Sequence, residues 1–431
     1  MKALRVLTNK WLFTPALCVG LVFEVWPADL TLSGVSGQTY GNQTYGRLSL
    51  TSCNNITIRG CTFSAATNAV VNIAANCSRI TIDSCDIDGR SAACTGIDMG
   101  GSYITIRRCR IHDIADDGIQ CAAGGDHWYF YDNEICHLLG CGTDGGCGPC
   151  YNGHSDGFEM GGVDSVELKR NLVYDVRSTS ALFMNNWSGG ATIHNLLLEN
   201  NIFYTPECGV VIYVFYIDGL RMYNNTFWKS NWLGVAVGPS ATRIEAYNNI
   251  AQNIDYDFMK GTYNSTDHKY GYNLVGSTGL GLPLQAHDVS NADPRFRRIP
   301  IASDNTQAHV YRAVTAADFE ILFGSPAIDK GMSSGPVPAT DFYGRPRTAP
   351  YDIGAIEYQN ASVSGNRRDS RIAGTGPRFS SVVYKGRLMN AGRYSGDIYD
   401  CRGKRTDVIR GGGCFLLRQA NGSMVRIVAL P

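Results

Sequence analysis

The chain is short of proline, with 15 residues in 431, and it carries no net charge, with 38 basic and 38 acidic residues. Few prolines beside 49 glycines suit many short strands joined by turns. The charge balance argues against a nucleic-acid partner, which needs a basic footprint, and leaves room for a local patch. Long apolar runs are missing too. The one from Trp11 to Phe23 is about 13 residues, too few to span a bilayer, and no later segment qualifies. With Lys2, Arg5 and Lys10 ahead of it, that stretch reads as a secretory signal over residues 1–28, with cleavage after Ala28. A soluble, secreted or cell-surface monomer is expected.

What the chain has is a period. Ile56-Thr57-Ile58, Ile80-Thr81-Ile82, Ile104-Thr105-Ile106 and Trp128-Tyr129-Phe130 follow at steps of 24. After an insertion the pattern resumes at Val166, Leu196, Leu220, Ile244 and His268, and the last three steps are again 24. Leu30-Thr31-Leu32 is a candidate for a tenth unit. A coil of this length cannot bury a core alone, but stacked coils can. Stacking in register demands parallel strands about 4.8 Å apart, and parallel crossovers are right-handed. The expected fold is all-β: a right-handed parallel β-helix of about nine to ten rungs over residues 29–290. Thr62–Ser64 begins the series of second strands. The third strands are Val71–Ile73, Ile97–Met99, Ile119–Cys121, Phe158–Met160, Leu182–Met184, Val211–Tyr213 and Val235–Val237.

The residue closing each first strand is Cys61, Cys85 and Cys109, then Asn133, Asn171, Asn201, Asn225, Asn249 and Asn273. An inward Asn at a tight turn can bond the turn backbone and the Asn of the next rung, and a small buried Cys fills the same slot. Cys53, Cys61, Cys77, Cys85, Cys109 and Cys121 are therefore expected as packed free thiols. Cys136, Cys141, Cys147 and Cys150 crowd a polar loop, where export favours disulfides over a zinc site that would also draw on His137.

The third strands carry two polar columns. Asp98, Gln120 and Glu159 form one; Thr95, Asp117 and Asp156 form the other, flanked by Asp116 and His154. Stacked carboxylates repel unless a cation joins them or one keeps a proton. Asp116, Asp117, His154, Asp156 and Glu159 are the catalytic candidates. Asp98, Asp117, Asp156 and Glu159 are the candidate calcium ligands. Asp98, Gln120, Arg177, Phe183, Trp187 and Tyr213 are the candidate substrate contacts, with Trp232 a further ring for stacking on sugars.

The ladder and the motif Asp116-Asp117-Gly118-Ile119 resemble the pectate lyase and polygalacturonase superfamily over roughly residues 30–290. The resemblance implies an exported protein acting on an acidic polysaccharide, by paired carboxyl groups in a hydrolase or by a basic residue, Arg177 or His154, with calcium in a lyase. The chain departs from the hydrolase pattern in three places. Thr95 replaces an Asp, Asp156 takes the His position, and Ala181-Leu182-Phe183 replaces the basic motif. A non-catalytic adhesin or structural β-helix is the alternative.

Residues 291–359, with Gly324-Ser325-Pro326-Ala327-Ile328-Asp329 and Asp352-Ile353-Gly354-Ala355-Ile356-Glu357, resemble the closing segment of choice-of-anchor surface proteins. They are expected to cap the solenoid, with Asp329, Asp341 and Asp352 in turn chemistry ahead of calcium binding. Residues 360–378 read as a linker. Residues 379–431, with Ile398-Tyr399-Asp400, Gly413–Arg418 and Val425–Val428, resemble a type IX sorting tail, expected as a small β-sandwich read by secretion machinery.

Overall fold

The computed structural model describes residues 27–66, 68–121, 125–140, 155–184, 192–205, 208–230, 232–238, 241–261, 267–276, 279–298 and 314–359, with strand backbone between 382 and 429. Most of the signal-like segment lies outside these residues. So do His154, Trp187, Cys141, Cys147, Cys150 and the expected linker.

The repeat folds as a right-handed parallel β-helix. Three parallel sheets run its length. Sheet A has ten strands, from Leu30–Ser33 to Met259–Gly261; sheet B has ten, from Thr39–Gly41 to Lys269–Gly271; sheet C has eleven, from Thr44–Tyr45 to Val289–Ser290. From the second rung on, each strand pairs with the one three earlier, as one coil per rung requires, except the last, Val289–Ser290, which pairs with Leu274–Val275 directly before it. Leu30-Thr31-Leu32 belongs to sheet A, and the sheet B strand of its rung is Thr39–Gly41. The core is one continuous column of side chains. Ile56, Ile80, Ile104, Trp128, Val166 and Leu196 are all at most 1% exposed and stack in sheet B. Sheet A contributes Val71, Ile97, Ile119, Phe158, Leu182, Ile212 and Val235 in register. Ile212, not Val211, is the partner of Leu182, so that strand sits one residue later than the sequence pattern places it.

The asparagine ladder forms as expected. Asn171 Nδ2 donates to Phe130 O at 2.8 Å and to Asn201 Oδ1 at 2.9 Å, while its backbone N–H donates to the same Oδ1 at 2.9 Å. Asn201, Asn225 and Asn249 repeat the scheme. Both amide hydrogens and the oxygen are used, so a polar column inside an apolar core leaves no group stranded. Cys109 closes one end by donating its N–H to Asn133 Oδ1, and Asp288 closes the other by accepting from Asn273 N. The residue before each ladder position turns with φ near +55°: Asp132, Arg170, Asn200, Asn224 and Asn248 among them. Asn and Asp bear that conformation best after glycine.

The doubled asparagines have a second use. Residues 314–358 pack along the flank of the solenoid, on the outer face of sheet C, where a lid over the last rung was expected. Tyr204 and Trp228, adjacent in register, meet Phe296 and Phe319. Asn200 bonds Thr340 O, Asn224 bonds Asp352 O and Gly354 O, and Asn248 exchanges two hydrogen bonds with Met332. Arg347 is buried at this seam and donates to Asn200 Oδ1, Glu357 Oε2 and Gly354 O. Asp341 and Asp352 accept backbone N–H groups of Tyr343, Arg345 and Asp329, which is turn chemistry.

Sheet C pairing corrects one cysteine. Cys136 lies on the sheet C strand Glu134–Leu138 as a buried free thiol, in one apolar cluster with residues of the flanking segment, and not in a disulfide. Cys53, Cys61, Cys77, Cys85, Cys109 and Cys121 are buried and free; Cys94 is disulfide-bonded. Residues 361–431 form a separate unit. Its described strands make one five-stranded mixed sheet. Among the described residues no helix is long and apolar enough to cross a membrane.

Candidate functional site

The site grows from the way sheet A strands begin. Thr95, Asp117, Asp156 and Ser180 open four successive strands, and each is followed by a small residue: Gly96, Gly118, Gly157 and Ala181. A Cβ on Gly118 would lie 2.8 Å from Gly157 O and 2.8 Å from Ile135 Cγ2. Position 118 therefore faces the packed core, and a side chain there would force its neighbours to shift. This explains the glycine of each Asp-Gly pair but not the aspartate, whose burial is a separate cost.

Register brings the expected columns together. Asp98, Gln120, Glu159, Phe183 and Tyr213 are successive partners across five rungs. Gln120 Nε2 donates to Glu159 Oε2 at 2.7 Å and lies 3.5 Å from Asp117 Oδ2. Asp117 Oδ1 accepts the backbone N–H of Asp156 at 2.8 Å. Asp117, Asp156 and Glu159 are all at most 6% exposed. Asp116 is half-buried, and among the described residues its buried Oδ1 accepts no hydrogen bond.

Such a cluster cannot hold all its charges. Burial pushes the Asp117 carboxyl far above the usual range, reinforced by its hydrogen bond to Glu159 and by the charges of Glu159, Asp116 and Asp156. Burial and Glu159 raise Asp156 against the opposing pull of Ser180. Asp116 is pushed up to about 7, by burial first and Glu159 second. Asp98 is raised by burial and partly relieved by Asn72, at 3.3 Å. The arrangement is a group of carboxyls that hold their protons to higher pH than free ones do, a property that acid–base catalysis uses. Calcium ligand sets are all oxygen. Here Gln120 turns its N–H groups toward Asp117 and Glu159, so the arrangement suits shared protons better than a calcium ion held by Asp98, Asp117, Asp156 and Glu159.

Arg177 meets an acid of another sheet. Its Nε lies 3.5 Å from Asp175 Oδ1, a residue of the sheet C strand Leu172–Val176. The aromatic candidates do line up: Phe183 and Tyr213 rings are 5.7 Å apart, and Phe215 adds a third ring 4.4 Å from Tyr213. Trp232 is 46% exposed. Sequence reasoning missed Ser180 and Phe215. Ser180 was within reach, since it lies 24 residues after Asp156 in the same column.

A family model described as a right-handed β-helix region matches residues 35–142. No curated protein matches the chain. Among solved structures, the pectate lyase Pel9A is similar at 11% identity, covering 78% of this chain and 87% of its own, with a TM-score of 0.37. A doubly substituted pectate lyase from Xanthomonas campestris is 15% identical over 50% of this chain and 73% of its own, at 0.31. The endo-xylogalacturonan hydrolase from Aspergillus tubingensis is 13% identical over 61% and 84%, at 0.28. At this distance the likenesses carry nothing about chemistry.

Proposed function

We propose that the protein is an exported polysaccharide-active enzyme that hydrolyses an acidic, uronate-containing glycan along the outer face of sheet A. The observation that carries this reading is the buried acids Asp117 and Glu159, bridged by Gln120 and crowded by Asp116 and Asp156. One carboxyl of the cluster would serve as general acid and another, on the far side of the scissile bond, as general base. Carboxyls kept neutral by burial also repel a uronate less and can donate to it. Phe183 and Tyr213 continue the lane as surfaces for sugar rings. Elimination would instead need a basic residue, Arg177 or His154, or a calcium-assisted site; the reading rests on the acids, which hydrolysis uses directly.

The test is product analysis on pectin, alginate and related uronans, with and without chelator. New reducing ends without ultraviolet-absorbing unsaturated products support hydrolysis. Unsaturated products lost with chelator point to a calcium lyase. Binding without either product points to an adhesin.

A further inference from the structure

A second cluster lies on sheet C, outside the acidic site. His112, on the strand Arg110–Ile114, is 7% exposed. Its Nδ1 is 2.6 Å from Asp113 Oδ2, and its Nε2 is 3.2 Å from Asp86 Oδ1. Asp88 is its register partner on the preceding rung. One atom each of Asp88, His112 and Asp113 fall within 4.8 Å of one another. Asp113 Oδ1 faces His137 Nδ1 at 3.4 Å.

These residues form a ligand set with its support already built. A metal-bound imidazole usually donates its other N–H to a carboxylate, and Asp86 stands where that carboxylate belongs. His137 is placed to hold the second oxygen of Asp113. Asp88 accepts from Arg90 N at 2.7 Å and lies 3.2 Å from Ser64 Oγ, which fixes its carboxylate while each oxygen keeps a lone pair. Asp113 and His137 both take left-handed φ, at 54° and 56°.

We propose that Asp88, His112 and Asp113 bind one zinc-class divalent cation, through His112 Nδ1 and one oxygen of each aspartate, with Asp86 and His137 as orienting partners. An imidazole among the ligands favours zinc-class ions over calcium, which takes oxygen alone. On binding, the proton shared between His112 Nδ1 and Asp113 leaves to solvent and the ion takes its place.

The test is calorimetric titration of chelator-treated full-length protein with zinc chloride, repeated in excess calcium and on three variants. One saturable equivalent of micromolar affinity or tighter is expected, unmoved by calcium. His112→Gln should abolish it. Asp86→Asn, at a partly exposed position, should weaken it about tenfold or more. Asp117→Asn, in the acidic site, should leave it intact, which separates this site from the proposed hydrolase. The proposal falls if no saturable zinc binding is seen, if calcium competes equally, or if binding persists unchanged in both His112→Gln and Asp86→Asn. Should His112→Gln fail to fold, Asp86→Asn decides alone.

Discussion

At the scale of residues, the acidic site is a place where stability is given up for chemistry. A carboxyl raised in the folded state binds more protons folded than unfolded. Stability therefore falls as pH rises from the usual carboxyl range near 4 toward the folded value, which for Asp116 is about 7. Asp117 and Asp156 extend the loss to higher pH. Thermal unfolding of wild type should occur at higher temperature at pH 5 than at pH 8, and Asp116→Asn should narrow that gap by raising the pH 8 midpoint a few degrees. An unchanged gap would mean that Asp116 ionises freely. The two polar columns were legible in the sequence because each sits at a fixed offset from an inward apolar residue. The His112 cluster was not. Its members come from neighbouring turn positions on three strands, and their meeting depends on side-chain direction at left-handed residues, which periodicity does not report.

Among elements, the ladder sets the register between rungs. Asn225→Ala would strand Leu198 O and the two donors of Asn201. At about 1–3 kcal/mol for a buried group left unsatisfied, the loss should be of order 2–4 kcal/mol by chemical denaturation. Asn225→Cys should cost less, because the chain already uses thiols there: Cys85 N lies 3.5 Å from Cys109 Sγ. Equal losses would show that the ladder's hydrogen bonds contribute little beyond volume. The strands were legible from their 24-residue step, with one slip at Ile212 where an insertion precedes the strand. Cys136 was misread for a different reason. Its register partner is Tyr174 on the next rung, a neighbour that only strand pairing brings to it.

For the whole molecule, the solenoid and its flanking segment form one unit up to residue 360, and the tail forms another. A chain ending after Tyr358 should fold and keep its unfolding midpoint, while one ending after Ser290 should lose the Arg347 seam, uncover Tyr204 and Trp228, and unfold several degrees lower. Equal midpoints for all three would deny the flanking segment a structural role. The tail is then free to be a delivery module, and a host strain lacking it should retain the protein in the periplasm. The central claim, that the carboxyl cluster cleaves an acidic polysaccharide by acid–base chemistry, is tested most directly by reducing-end release from a uronan, wild type beside Asp117→Asn at matched fold. The account predicts steady release by wild type and a loss of about 100-fold or more in the variant. Full activity in Asp117→Asn would contradict it.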